Sequence, residues 1–301
     1  MQVQTIAEQL FFTTLRIDTV SSAGTSESGT GFFFQHSIGD QNYPFIVTNK
    51  HVVVDQREGA MTFLQSSEQL PALGKGFRLV VQDWQKVWFG HPSPVVDIAV
   101  CPLAPLEAHI REQYGITLFH RYVSNGMIPS EEQIKELDAI EPITFIGYPN
   151  GIWDRKNFLP VARRGTTASP IEVDFEDTPQ FVIDASVFGG SSGSPVFILN
   201  QGTFSTKRGA LAVGSRLLFV GVIAAVFFRK SMNEIVAVPV PTQVRPMAQQ
   251  QEMLDLGIVV KARTVVETIE ALLSSRGISL QLTTKPSPPA HDLSSRAATE
   301  S

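Results

Sequence analysis

The amino-acid sequence predicts an all-β fold, and three observations carry that reading. Short apolar segments recur between turn residues in Thr14 to Val20, Gly31 to Phe34, Phe45 to Val54, Phe77 to Val81 and Val95 to Val100. A second set repeats the pattern in Ile143 to Gly147, Arg164 to Ala168, Ile171 to Phe175, Gln180 to Ile183, Val196 to Leu199, Phe219 to Phe228 and Glu234 to Val240. Only two stretches, Glu131 to Ile140 and Val265 to Ser275, carry helix signals instead. Many short strands separated by turns form a barrel or a sandwich, because each buries one face and needs partners for its backbone.

Along the chain, Ile46-Val47-Thr48 is a β-branched run that ends at Asn49-Lys50, and a second apolar run begins after His51, so His51 is predicted at a strand end. Asp97 lies inside the otherwise apolar Val95 to Val100, which predicts a carboxylate embedded in a strand and in need of a partner. The helix Glu131 to Ile140 opens with Pro129-Ser130 and has Gln133 in capping-box position, and it should sit in the connection between two lobes. The longest apolar run, Leu217 to Phe228, is shorter than the about 20 residues of a membrane helix, and Gly221 within it marks a strand with a close backbone approach. Thr264 with Glu267 opens the last helix, Val265, Ile269, Leu272 and Leu273 share one face, and Gly277 closes it. That face is expected to pack on the second lobe. Residues 283–301 carry proline, serine and charge with little apolar surface to offset the entropy of ordering, so a disordered tail is expected.

With 301 residues, 43% hydrophobic and 18% charged, the chain can bury one large two-lobed core plus a tail. A net charge of -5 without a recurring basic cluster argues against a nucleic-acid partner. Cys101 is the only cysteine, so no intrachain disulfide forms and a reducing compartment is allowed. The first ten residues lack a basic region followed by a long apolar stretch, from which a cytoplasmic location and no membrane partner are expected. No H-x-x-x-H or paired-cysteine spacing occurs, so no metal and no cofactor are expected.

The chemistry concentrates in Gly190-Ser191-Ser192-Gly193-Ser194-Pro195. Ser192 is the candidate nucleophile, and Gly190 can turn the backbone so that the amides of Gly190 and Ser192 converge as an oxyanion hole. A hydroxyl attacks a carbonyl only when a base removes its proton. His51 is the candidate base, and Asp97 the candidate partner that fixes the ring tautomer. The remaining histidines, His36, His91, His109, His120 and His291, lack such context and read as surface or structural.

The chain order His51, Asp97, Ser192 is the chymotrypsin order. In Thr48-Asn49-Lys50-His51-Val52, Asp97-Ile98-Ala99-Val100 and Gly190 to Pro195 the sequence resembles the trypsin-like serine peptidases. Gly29-Thr30-Gly31-Phe32-Phe33-Phe34 is similar to that family's first barrel hairpin, and Asp184-Ala185-Ser186 to its Deg-type bacterial branch. Ser194 departs from the glycine usual in the family. The resemblance covers roughly residues 10 to 244 and implies two antiparallel six-stranded β-barrels with the site in the crevice between them. The N-terminal barrel would span about 12–125 and the C-terminal barrel about 140–244, within one peptidase domain of 1–282. The segment after Val244 is short for a PDZ-type peptide-binding module.

The resemblance further implies a serine endopeptidase acting on protein or peptide substrates through an acyl-enzyme. Trypsin-like zymogens pair a new N-terminus with an aspartate just before the nucleophile. Here that residue is Ser191, so activity is expected without such cleavage. The base of the primary pocket would be Ser186, which is neutral, with Ala224, Ala225 and Val226 as its wall. Val226 would narrow the entrance and favour a small or medium apolar residue, while a one-residue slip of this strand would exchange pocket-facing and core-facing side chains. The alternative is a catalytically silent trypsin-like scaffold that binds peptides or proteins, and a third reading is an esterase using the same chemistry.

Overall fold

The computed structural model describes residues 2–230 and 251–277. The predicted strand Glu234 to Val240 and the predicted tail lie outside these residues.

The first lobe begins with a capped turn of helix, α1 (Ile6–Leu10), and continues as β1 (Thr14–Ser21), β2 (Ser26–Ile38), β3 (Gln41–Thr48), α2 (Lys50–Val53), β4 (Gln56–Ser67) and β5 (Leu70–Val81). It is completed by β6 (Phe89–Gly90), β7 (Ala99–Pro102), α3 (Leu103–Tyr114) and β8 (Val123–Ser124). The strand order is β5-β4-β1-β2-β3-β7-β6, with β8 paired parallel to β2. Six antiparallel strands, β1 to β5 and β7, make up the body of the lobe as expected, and the two-residue strands β6 and β8 extend it to an eight-stranded sheet. Leu15, Phe33, Ile46, Met61, Leu79 and Cys101, from six different strands, share one buried cluster, so the sheet wraps around a single interior. Cys101 in β7 is 1% exposed, and burial pushes its thiol up to about 12.

The connection holds α4 (Glu131–Lys135), where Ser130 and Gln133 form the predicted capping box. The helix stops at Lys135 instead of Ile140. The second lobe contains β9 (Pro142–Gly147), β10 (Val161–Thr167), β11 (Gln180–Asp184), β12 (Pro195–Ser205), β13 (Leu211–Lys230) and β14 (Gln251–Lys261). These close into a six-stranded barrel in the order β10-β11-β14-β13-β12-β9. Phe145, Phe181, Ile183, Val196, Ile198 and Val259 fill its interior. Ile171 to Phe175 is not a strand. Among the described residues it forms one isolated bridge, Phe175 to Thr178, and Pro170 and the turn through Asp177 flank it where a ladder would continue.

The Phe32-Phe33-Phe34 run explains how the lobes join. Successive strand side chains point to opposite faces, so Phe33 enters the first-lobe interior while Phe32 and Phe34 face outward. Both outward rings meet Phe219 of β13, at centroid distances of 5.4 and 6.1 Å, and Phe197 of β12 lies 5.8 Å from Phe219. This interlobe cluster also receives Val265, Ile269, Leu272 and Leu273 of α5 (Arg263–Ser275). The helix packs against β6 and β7 of the first lobe as well as β14 of the second. Its apolar face packs on the second lobe, as expected, and in addition bridges to the first.

Candidate active site

His51 does not sit at a strand end. β3 stops at Thr48, and Lys50–Val53 forms one helical turn that turns Val52 and Val53 into the core and leaves the His51 side chain 50% exposed. Burial of the two valines overrides their strand preference. Gly29 makes the turn possible, since a Cβ there would press on the Val52 methyl groups. Asn49 occupies the N-cap position but spends its side chain elsewhere: Nδ2 donates to the Asp97 carbonyl at 2.7 Å. Asp97 itself precedes β7 in an irregular segment rather than lying within a strand.

The two side chains meet. His51 Nδ1 lies 2.6 Å from Asp97 Oδ2, and the His51 backbone amide donates to Asp97 Oδ1 at 3.1 Å. An ionised carboxylate only accepts hydrogen bonds, so the contact keeps the ring proton on Nδ1 and leaves the Nε2 lone pair available. Next to the pair, Lys50 Nζ donates to the Ser93 carbonyl at 2.7 Å, and burial lowers the Lys50 pKa against the opposing pull of Asp97.

Ser192 reaches this corner through β2 and β3. The Thr30 amide donates to the Ser192 carbonyl at 2.9 Å, and Thr48 Oγ1, three residues before His51, donates to the Thr30 carbonyl at 2.7 Å. Gly193, with φ +88, is pressed against both threonines, and a Cβ there would overlap the Thr30 carbonyl oxygen. Ser192 is half-buried. Its hydroxyl makes no hydrogen bond to His51 among the described residues, so two of the three predicted side chains are joined, and the third is tied through Thr30 and Thr48 to the strand that leads to His51.

The Gly190 and Ser192 amides donate to no protein group among the described residues. The amides around them are committed: Ser191 to the Phe188 carbonyl at 3.0 Å, Gly193 to Ile223 at 2.8 Å and Ser194 to Ser191 at 2.9 Å. Gly190 has φ +85, where a side chain would be strained and would strike the Tyr148 carbonyl. Ser194, the departure from the glycine pattern, is fully buried and closes over Gly147, which has no side chain to obstruct it.

The predicted pocket residues divide. Ala224 is buried in the interlobe cluster, at a register shift between Ile223 and Ala225, and so faces the core instead of a cleft. Ala225 is exposed, Ser186 is half-buried, and Val226 packs against the second-lobe interior that includes Ala185 and Val187. Strand β14 relates Val226 to the Ser186 segment: Gly257 is in register with both Val226 and Ile183 and lies against Val187. Two residues that sequence patterns do not single out also shape the site. Thr30 Oγ1 donates to the Gly190 carbonyl at 2.8 Å and accepts from the Tyr148 amide at 3.1 Å, and the Asn150 amide donates to the Gly189 carbonyl at 2.5 Å. Thr30 lies within the hairpin motif, and Asn150-Gly151 is a turn signal, but neither pattern reveals a partner so distant in sequence. Among the described residues no three His, Cys, Asp or Glu side chains gather as a metal site.

The family model described as trypsin-like peptidase domain matches residues 29–204, more than half of the chain. Among solved structures, the chain is similar to the Rv3671c protease from M. tuberculosis in its active form, with 14% identity, coverage of 88% of this chain and 82% of that one, and a TM-score of 0.42. It is similar to the thermostable serine protease AL20 from an extremophilic microorganism at 12% identity, over 87% and 97% of the two chains, with a TM-score of 0.45. A scabies mite inactivated protease paralogue matches at 14% identity, over 90% and 98%, with a TM-score of 0.43. No match was found among curated proteins.

Proposed function

The chain belongs to the trypsin-like peptidase domain family, and from that membership we propose that it is a serine endopeptidase that cleaves peptide bonds through an acyl-enzyme. The observation that carries the reading is the doubly bonded pair of His51 and Asp97, held at 2.6 and 3.1 Å. In this mechanism Nε2 of His51 accepts the Ser192 proton as Oγ attacks the substrate carbonyl. The imidazolium so formed is stabilised by Asp97, which stays ionised, and it then protonates the leaving amine. Water repeats the sequence on the acyl-enzyme and restores Ser192. The Gly190 and Ser192 amides receive the charge that develops on the carbonyl oxygen, a role open to them because neither is spent on the protein.

Protein or peptide substrates follow from the family. For specificity, the half-buried Ser186 and Val226 and the exposed Ala225 remain the proposed pocket residues and favour a small or medium apolar side chain, whereas Ala224 packs in the interlobe core. Ser191 in place of an aspartate supports activity without N-terminal processing. A cytoplasmic site of action fits the single cysteine.

The test is labelling with a fluorophosphonate probe together with turnover of a peptide library. Covalent labelling at Ser192, and loss of about 10⁶-fold in kcat in Ser192→Ala, is the expected result. An unlabelled, folded wild-type chain would instead establish the silent peptide-binding scaffold.

A further inference from the structure

Given the proposed roles of Gly190 and Ser192, on which this inference rests, both peptide units that carry the oxyanion amides are held by their carbonyls. In a trans peptide the C=O and N–H point in opposite directions, so whatever binds the carbonyl aims the amide. The Ser192 amide belongs to the Ser191–Ser192 unit, whose carbonyl accepts from Ser194 at 2.9 Å within the same loop. The Gly190 amide belongs to the Gly189–Gly190 unit, whose carbonyl accepts from the Asn150 amide at 2.5 Å, a bond that comes from outside the loop.

This second unit is the one free to rotate. The bond from the Ser191 amide to the Phe188 carbonyl closes a turn with Gly189 and Gly190 at its central positions, and φ +85 at Gly190 is the type II value. Types I and II differ mainly in the direction of the central peptide, here Gly189–Gly190, and glycine accepts either sign of φ. Rotated to type I, that peptide would turn the Gly190 amide out of the site. We propose that the Asn150 backbone amide is the lock that holds this peptide in its productive orientation, which makes Asn150 a positioning residue for the oxyanion site.

Asn150 is itself held in an uncommon conformation. Its φ of 47 and ψ of 29 lie in the left-handed region, which asparagine enters more readily than other residues with a side chain. The turn is closed by bonds from Gly151 to Tyr148 at 3.2 Å and from Ile152 to Pro149 at 2.7 Å. Tyr148 is tied in turn to Thr30 of β2. The direction of the Gly190 amide is thereby referred back to the first lobe.

Backbone propensity at position 150 tests the lock. Glycine keeps the left-handed turn, alanine disfavours it, and valine disfavours it more strongly. Asn150→Val is expected to lose about 10²-fold in kcat, the loss typical of one oxyanion donor, with KM near that of the parent chain. Affinity for a peptide boronate, which forms a tetrahedral adduct on Ser192, should fall in parallel. Asn150→Ala should lie between, and Asn150→Gly should keep parental kcat and boronate affinity, with thermal unfolding confirming that each variant folds. Equal kcat and boronate affinity in the alanine and glycine variants overturns the lock, and this comparison stands even if the valine variant does not fold. A parent chain that the fluorophosphonate fails to label removes the peptidase reading and the lock together; a labelled chain indifferent to substitution at Asn150 removes the lock alone.

Discussion

The backbone amide of Thr30 donates to the carbonyl of Ser192 at 2.9 Å, so the proposed nucleophile of the second lobe is pinned by a strand of the first. The same residue's hydroxyl bonds the Gly190 carbonyl and the Tyr148 amide. One fully buried threonine therefore sets the loop that bears both proposed oxyanion amides.

Thr30→Val removes the hydroxyl and leaves the Tyr148 amide and the Gly190 carbonyl without that partner. Urea unfolding is expected to show a loss of about 1–3 kcal/mol, the cost of buried polar groups left unsatisfied. Peptide turnover should fall as well, and Thr30→Ser, which keeps the oxygen, should recover most of both.

Asp97→Asn preserves shape but replaces an acceptor with a group that can donate to Nδ1. The ring then carries its proton on Nε2, where Ser192 needs a base. A fall of about 10⁴-fold in kcat is expected with near-parental circular dichroism.

Phe219→Ala empties the centre of the interlobe cluster, where the ring meets Phe32, Phe34 and Phe197. The expected loss is about 3–5 kcal/mol by chemical denaturation, because lost burial and a residual cavity add. Since the cluster joins the lobes, turnover should decline even at temperatures where the chain stays folded.

His120 gives a pH dependence of stability. The ring stacks on Phe33 with centroids 4.5 Å apart, and burial, helped by the nearby Arg121 charge, pushes it down to about 4. Its 3.7 Å approach to Glu107 is consequently no ion pair at neutral pH, and burial raises the Glu107 carboxyl as well. The unfolded ring titrates near 6.5, so below that pH the unfolded chain binds the proton first. The contribution is complete above pH of about 6.5 and declines as pH falls towards 4, by about 3 kcal/mol in all. Denaturation of the parent chain and His120→Phe at pH 7 and pH 5 should show the steeper decline in the parent.

Much of the architecture is legible in the sequence because it rests on local patterns. The capping box at Ser130, the apolar face of α5 and the second-lobe strands β9 to β13 follow from spacing, whereas Ile171 to Phe175 imitates a strand and β14, which completes the second barrel beyond the expected limit at Val244, goes unread. The sequence places His51 at a strand end because β-branched runs flank it on both sides, and only Gly29, distant in sequence, reveals room for a helical turn there. α3 escapes detection although Pro105 lies in its first turn and Gly115 ends it with φ +66. The polar opening of β4, Gln56-Arg57-Glu58-Gly59, conceals that strand. At the site, residue types are readable but hydrogen bonds between segments are not, which is why Thr30 and Asn150 emerge only in three dimensions.

The sealed thiol of Cys101 makes the folded chain a blank background for sulfhydryl chemistry. With its proton held by burial, the native side chain is shielded from alkylating reagents, so a cysteine introduced at an exposed position reacts alone. Cys101 itself then serves as a clock for β7, the strand that leaves Asp97: each molecule it labels is one in which that strand has let go.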